Sequence, residues 1–112
     1  MLGHPGDEVV AEYLASAAWR ERRGWWFQWF DEQVGGVPRC ECCGAVEDVD
    51  LLHVDFANFR WEQVNDVVPV CGRCRALVDQ QVGEIARASD GMPYFMVVRS
   101  AIAAVSRAVR ER

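Results

Sequence analysis

The sequence contains no lysine. All twelve of its basic residues are arginine, and seventeen acidic residues bring the net charge to −5. Proteins that bind nucleic acid are expected to present positive surface, because contact with phosphate is driven largely by counterion release. Residues 40–90 carry only four arginines against ten acidic residues, whereas residues 91–112 carry four arginines and one acidic residue. This distribution argues against ordinary DNA binding by the middle of the chain.

Long apolar runs are also missing, since no stretch approaches the eighteen or so apolar residues of a membrane span. The first seven residues have neither a basic region nor an apolar core, so we expect no secretory signal and a cytoplasmic location. There are no internal repeats and no low-complexity segments. A length of 112 residues with 51% hydrophobic content predicts one small folded domain.

Five cysteines are present, and four of them form two C-x-x-C pairs. The pairs are Cys40 with Cys43 and Cys71 with Cys74. Two such pairs are typical of a structural zinc site, in which four thiolates surround the ion tetrahedrally. The odd number of cysteines also favours a metal over disulfides, although buried apolar cysteines and disulfides are the alternatives. Cys42 is left over, and we interpret it as a bystander beside the site, with a reactive thiol as the alternative.

Three short motifs accompany these pairs. They are Tyr-Leu-x-Ser-x-x-Trp at residues 13–19, an apolar segment with one histidine at residues 51–56, and Asp-Val-Val-Pro-Val at residues 66–70. With the C-x-x-C pairs, they resemble the HNH endonuclease family, whose pattern places a His-His pair in a strand between the two pairs. When the family's pattern is aligned on His53, it continues without a gap through Phe56, Glu62, Asp66 and Cys71. The resemblance covers roughly residues 12–79 and implies a zinc-held ββα unit.

The catalytic positions implied by this resemblance are only partly kept. His53 occupies the place of the general base, but Leu52 stands where the first metal-binding histidine is expected. Arg75 stands at the second metal position, directly after Cys74. A divalent ion that activates water needs oxygen or nitrogen donors, which leucine lacks and a guanidinium cannot supply. We therefore expect a dismantled catalytic centre, with His53 at most a vestigial base and more simply a buried histidine satisfied by backbone.

Two acidic residues near these positions offer an alternative. Asp55 shares a strand face with His53, and Asp79 lies one helical turn after Arg75. The two carboxylates are candidates to rebuild a metal site. The simpler expectation is that both pair with Arg75.

The most unusual segment is aromatic. Five large rings fall within residues 25–30, and four of them form two adjacent stripes on a helix: Trp25, Trp26, Trp29 and Phe30. One interpretation is that these rings pack over the zinc unit and form part of its core. Because tryptophan is enriched among interface anchors, a partner-binding surface is the other. Upstream, we predict that Asp7 caps a first helix, that Ser16 caps a second, and that Gly24 breaks or kinks it.

The remaining elements follow from local patterns. Residues 46–50 are predicted as the first strand of a hairpin or its turn, with His53 on the second strand. A helix should follow Cys74, with Gly83 as a weak point, and Pro93 should open a final helix. Apolar residues then recur at intervals of three and four, at Phe95, Val98, Ile102, Val105 and Val109. This seam packs on its own domain or forms a homodimer through residues 92–110.

These observations predict an α+β domain, mainly α, made of N-terminal helices in residues 1–39, an HNH-like zinc unit in residues 40–90 and a C-terminal helix in residues 91–112. The favoured function is a catalytically degenerate HNH-like protein that binds a protein partner, as a regulator or inhibitor of a nucleic-acid-handling protein. One alternative is a metal-dependent DNA nicking enzyme with His53 as base. Another is a non-catalytic nucleic-acid binder that uses Arg75 and the arginines of the last helix.

Overall fold

Four helices and one two-stranded antiparallel sheet form the structure, a computed structural model that describes residues 4–111. In chain order they are α1 (Asp7–Leu14), α2 (Ala17–Gln33), β1 (Val49–His53), β2 (Val67–Cys71), α3 (Gly72–Ala88) and α4 (Tyr94–Arg110). The predicted class, α+β and mainly α, is confirmed. The order β1, β2, α3 places the two strands directly before a helix, and α1 and α2 precede this unit while α4 follows it.

The hairpin differs from its prediction. β1 pairs with β2 from Val49 opposite Cys71 to His53 opposite Val67, so His53 ends the first strand rather than lying on the second. Residues 46–50, predicted as the first strand or its turn, contain a bend at residues 47–48 and the start of β1 at Val49, whereas the assignment of His53 to the second strand was wrong. Asp48 has a φ of 55°, a left-handed backbone conformation that turns the chain just before the strand begins. The strand partner comes only after a long loop, residues 54–66.

Two hydrophobic clusters lie on opposite faces of this sheet. Successive strand residues point to opposite faces, so Leu52 packs in one cluster and Leu51 in the other. The main core contains Leu52, four of the five cysteines (all but the exposed Cys43) and the buried face of α4. The aromatic core consists of Tyr13, Trp19, Trp26, Leu51 and Val67, with further rings packed around it. A thin sheet is thus covered on both sides, which explains why both β1 leucines are apolar.

The N-terminal helices follow some of the predicted signals. Ser16 caps α2, since its hydroxyl oxygen accepts a hydrogen bond from the Trp19 amide at 3.2 Å. Asp7 does not cap α1, because Gly6 holds that position and Asp7 is already helical. Helix α2 runs through Gly24, so the predicted break there was wrong, and α3 runs through Gly83. A glycine inside a helix costs about 1 kcal/mol relative to alanine, an amount that packing of a helix face offsets.

Helix α4 packs mainly on α3 and buries the predicted seam inside its own domain. Its buried residues are Tyr94, Val97, Val98, Ala101, Ile102 and Val105. Phe95 was wrongly assigned to the seam, since it is 47% exposed, and Tyr94 takes its place. Because the apolar stripe is already covered, it is not left free for a second copy of the chain. None of the helices in residues 4–111 is both long and apolar enough to cross a membrane.

Candidate metal centre and His53 site

The first C-x-x-C pair lies in a tight turn. The Gly44 amide donates to the Cys40 carbonyl at 2.8 Å, and the Cys40 amide donates to the Ala45 carbonyl at 2.8 Å. Gly44 has a φ of 80°, a conformation that side-chain-bearing residues rarely adopt, so a glycine is needed here. The Glu41 amide donates to the Pro69 carbonyl at 2.9 Å, which fixes the turn against β2.

The second pair spans the junction between β2 and α3. Cys71 ends the strand and Cys74 lies in the first turn of the helix, where both are buried. Gly72 between them donates its amide to the Asp48 carbonyl at 3.1 Å. A side chain at this position would collide with the Asp48 carboxylate, so the glycine permits the close approach. The two turns are thereby held next to each other by backbone contacts on either side.

These contacts bring four sulphur atoms together. The Sγ atoms of Cys40, Cys43, Cys71 and Cys74 all lie within 4.8 Å of one another, and those of Cys43 and Cys71 are 3.8 Å apart. A disulfide needs about 2.05 Å, so this separation does not describe one, and all five cysteines are free thiols. The four cysteines can hold one metal ion, as the sequence predicted.

The surroundings of the thiols differ. Burial raises the pKa of Cys40, but hydrogen bonds from the backbone amides of Cys71, Cys43 and Cys42 outweigh this effect and lower the pKa to about 6. Burial raises the pKa of Cys71 and of Cys74 above the usual range of a thiol. Metal binding requires thiolates. The lowered pKa of Cys40 favours the thiolate that a metal ion needs, whereas Cys71 and Cys74 would lose their protons as a metal binds.

Cys42 lies outside the group of four cysteines that could hold a metal ion, in agreement with its prediction as a bystander to that site. Its side chain is fully buried in the main core, where its Sγ lies 4.0 Å from the Ile102 carbonyl oxygen. Burial raises the pKa of the Cys42 thiol, which opposes reactivity. Cys42 thus links the first cysteine turn to α4, and Arg110 of the same helix strengthens the link by donating to the Cys42 carbonyl at 2.8 Å.

His53 is enclosed on the other face of the sheet. It is 4% exposed, and its Nε2 lies 2.7 Å from the Glu62 Oε2. The imidazole stacks on Phe56, with ring centroids 5.1 Å apart and planes at 7°, and Trp19 lies at 4.9 Å. The predicted burial of His53 is confirmed, but its partner is a carboxylate rather than the backbone.

Glu62 organises this site and was not predicted as a functional residue. It is 2% exposed, and it also accepts a hydrogen bond from the Tyr13 hydroxyl at 2.8 Å. Burial would raise the pKa of Glu62, but hydrogen bonds with His53, the backbone and Tyr13 hold it below its usual value. Arg22 donates through Nη2 to the Glu62 carbonyl at 2.6 Å. The carboxylate is therefore kept charged in the interior by its partners.

The two positions expected to bind a catalytic metal serve packing and backbone contacts. Leu52 is buried in the main core, on the opposite face of β1 from His53. Arg75 donates from Nη1 to the Leu51 carbonyl at 3.3 Å. The expected pairing of Arg75 with two acids was wrong. Asp55 Oδ1 instead accepts from the Ala57 amide at 2.9 Å, and burial raises the pKa of Asp79 while Arg75 only opposes that rise.

The aromatic segment divides between core and surface. Trp26 is 4% exposed, its indole N–H donates to the Val64 carbonyl at 3.0 Å, and it stacks on Phe30 at 5.4 Å. Trp26 is therefore a core residue, and its assignment as a partner anchor was wrong. Trp29 and Phe30 are half-buried against the aromatic core. Trp25 is 39% exposed, so it keeps a ring available to a partner.

The sequence had no signal for the contacts of Glu62. Its partners lie 9 and 49 residues away, and the loop that carries it has no regular period from which a shared face follows. Its register with His53 in the family pattern was the only sign that the position mattered. Comparison of the chain with protein families, with curated proteins and with solved structures finds no match.

Proposed function

We propose that this protein is a catalytically degenerate HNH-like zinc protein that acts by binding a protein partner, as a regulator or inhibitor of a nucleic-acid-handling protein. The observation that carries the proposal is the enclosure of His53, the residue at the general-base position. Its Nε2 is engaged by a buried carboxylate, and its ring is covered by Phe56 and Trp19. A general base must reach the proton that it abstracts, within hydrogen-bond distance or through one water.

The metal positions support the same conclusion. Hydrolysis of a phosphodiester in the HNH manner needs an ion to stabilise the developing charge. Leu52 has no donor atom, and its side chain points into the main core. Arg75 carries a positive charge that repels a divalent ion. A base alone contributes roughly 10²–10⁴ in rate, which is too little for this reaction.

Zinc is the ion that the cysteine cluster fits best. With Zn–S bonds of about 2.3 Å, a regular tetrahedron has sulphur atoms about 3.8 Å apart. The separation of 3.8 Å between Cys43 and Cys71, within a cluster no wider than 4.8 Å, matches that geometry. All four positions are filled by protein ligands, so zinc here would hold the fold and leave no open coordination position for a substrate.

Nucleic-acid binding through the last helix receives little support. Arg99 pairs with Glu41 at 3.4 Å, and Arg110 donates to the Cys42 carbonyl. Arg75, the other arginine considered for phosphate contact, donates to the Leu51 carbonyl. With these guanidiniums already in use and a net charge of −5, a protein partner is favoured over DNA.

The proposal is tested by incubating the protein with supercoiled plasmid and with single-stranded DNA, in Mg²⁺, Mn²⁺, Ni²⁺ or Zn²⁺. We expect no nicking or cleavage by the wild type. A double variant, Leu52→His with Arg75→His, restores the side chains of the family pattern and serves as a comparison once circular dichroism shows that it folds. Metal-dependent nicking by the wild type that His53→Ala abolishes would overturn the proposal and favour the endonuclease alternative.

A further inference from the structure

A cavity of about 510 Å³ opens on the surface beside the aromatic core. We name it the Trp25–Trp61 groove; its lining residues are Tyr13, Ala18, Glu21, Arg22, Trp25, Arg60 and Trp61. Its volume lies within the range of roughly 300–1,000 Å³ that is usual for ligand sites. Trp61 is 74% exposed, although an indole buries a large apolar area whenever packing allows. The lining of the groove therefore includes two exposed indoles, those of Trp25 and Trp61.

The walls of the groove are held in place by the buried network below them. Tyr13 forms part of the lining while its hydroxyl donates to Glu62. Arg22 donates to the Glu62 carbonyl through two nitrogens, and its guanidinium lies 4.4 Å from the Trp25 ring centre. Arg60 lies 5.3 Å from the Tyr13 ring centre, and its amide donates to Glu62 Oε2 at 3.3 Å. Such fixed rings and cations lower the entropy cost of binding.

We propose that the Trp25–Trp61 groove binds an extended, proline-containing peptide segment that carries carboxylates. Grooves lined by aromatic rings bind proline-rich segments because such segments are already extended and lose little entropy. The lining carries two guanidiniums and one carboxylate, Glu21, so it is locally positive on a chain whose net charge is −5. Arginine forks bind carboxylates with charge-assisted hydrogen bonds. This inference rests on the proposed partner-binding function and names the kind of segment bound.

A single-stranded nucleic acid is the competing ligand, since exposed aromatic rings also stack on bases. Its affinity depends on neutralising several phosphates along the strand. The groove provides only two arginines, and Arg22 already gives two hydrogen bonds to the protein backbone. The charge therefore favours a peptide with one or two carboxylates.

The test uses the full-length protein and fluorescein-labelled pools of twelve-residue peptides with a fixed Glu-Pro-Pro-Asp centre and random flanks. Fluorescence polarisation is expected to show saturable binding below about 1 mM. Pools with Gln-Pro-Pro-Asn or Glu-Ala-Ala-Asp centres should bind at least about fivefold more weakly. Trp61→Ala and Arg60→Gln should each weaken binding about tenfold. The controls, Phe95→Ala on α4 and Arg107→Gln, change an exposed aromatic residue and an exposed arginine outside the groove and should leave binding unchanged.

Indole N–H resonances provide a second measurement in the same titration. The Trp25 and Trp61 signals should shift on addition of the pool, whereas the Trp26 signal should stay, because that N–H is bonded to Val64. The inference is overturned by absence of saturable binding, by equal binding of the alanine pool, or by binding that Trp61→Ala leaves unchanged. Tighter binding of a ten-residue oligothymidylate that Trp61→Ala weakens would also overturn it. None of these results bears on DNA cleavage, so the two proposals fail separately.

Discussion

The two faces of one short hairpin have different chemistry. At one end of the sheet, four cysteines converge within 4.8 Å, as a metal site requires. On the face that carries His53, an imidazole and a carboxylate are sealed among aromatic rings, with no second donor set beside them in the part of the chain described, residues 4–111. The comparison teaches that the four cysteines that can hold a metal ion and the His53–Glu62 pair are separate sites in this small structure, built from different residues.

The physical reason is that the two sites make different demands. A metal ion bound by the cysteine cluster would contribute to folding directly, because metal binding and folding are coupled in small metal-binding domains. A catalytic site would need an accessible base and an open metal position, both of which cost stability when left unpaired in a small protein. At His53 no such cost arises, because the imidazole pairs with the buried Glu62 carboxylate and the neighbouring Leu52 packs in the main core.

The largest effect is expected at the cysteines. Cys74→Ser removes one ligand of a site whose metal supplies roughly 10–16 kcal/mol in comparable small units. We expect loss of bound zinc and of tertiary structure, measured by elemental analysis and near-ultraviolet circular dichroism. Cys42→Ser is the control, because Cys42 is buried but outside the cluster; it should retain the metal with a lower melting temperature. Retention of the native fold by Cys74→Ser would show that the cluster is not what holds the domain.

A smaller but still large effect is expected at Glu62. Glu62→Ala leaves the His53 Nε2 and the Tyr13 hydroxyl without their buried partner, and breaking such a pair costs roughly 3–5 kcal/mol. Tyr13→Phe removes only one hydrogen bond and should cost about 1 kcal/mol. Urea denaturation of both variants measures the free energies of unfolding. A loss below about 1 kcal/mol for Glu62→Ala would mean that the His53 face is not held by this pair.

The aromatic segment provides a matched pair of tryptophans one residue apart. Trp26→Ala empties a position in the aromatic core and should cost roughly 3–5 kcal/mol. Trp25→Ala removes a half-exposed ring that contacts Arg22 and should cost about 1 kcal/mol or less. Thermal unfolding of the two variants separates core from surface. Equal and large losses at both positions would place Trp25 in the core and remove it as a partner contact.

The smallest effect concerns pH. The pKa of Glu62 is lower in the folded chain than its usual value of 4.5, so its contribution to stability is fully present above about pH 4.5. That contribution is lost as the pH falls through the lower folded-state pKa, by about 1.4 kcal/mol for each unit of depression. Glu62→Gln removes this titration. The difference in unfolding free energy between wild type and variant should therefore shrink between pH 5 and pH 3, and a constant difference would contradict it.

Much of the fold follows from local signals in the sequence. The paired cysteines, the Ser16 cap and the three-four spacing in α4 each depend on residues close together in the chain, and each was placed correctly except for Phe95, which is exposed. His53 was assigned to the wrong strand because the last three residues of β1 are all buried, so the alternation that marks a half-exposed strand is missing there. The Glu62 contacts and the groove depend on an irregular loop meeting α1 and α2, which no periodic pattern encodes.

The central proposal is that this chain binds one structural metal ion at its four cysteines and no catalytic metal ion near His53. It is tested most directly by counting bound ions. Native mass spectrometry of the full-length protein, purified with zinc and then incubated with excess Mn²⁺ or Ni²⁺, reports the number bound per folded chain. The account predicts one zinc, lost in Cys74→Ser, and no further ion that depends on His53. A second ion in the wild type that disappears in His53→Ala, while the first zinc remains, would contradict it.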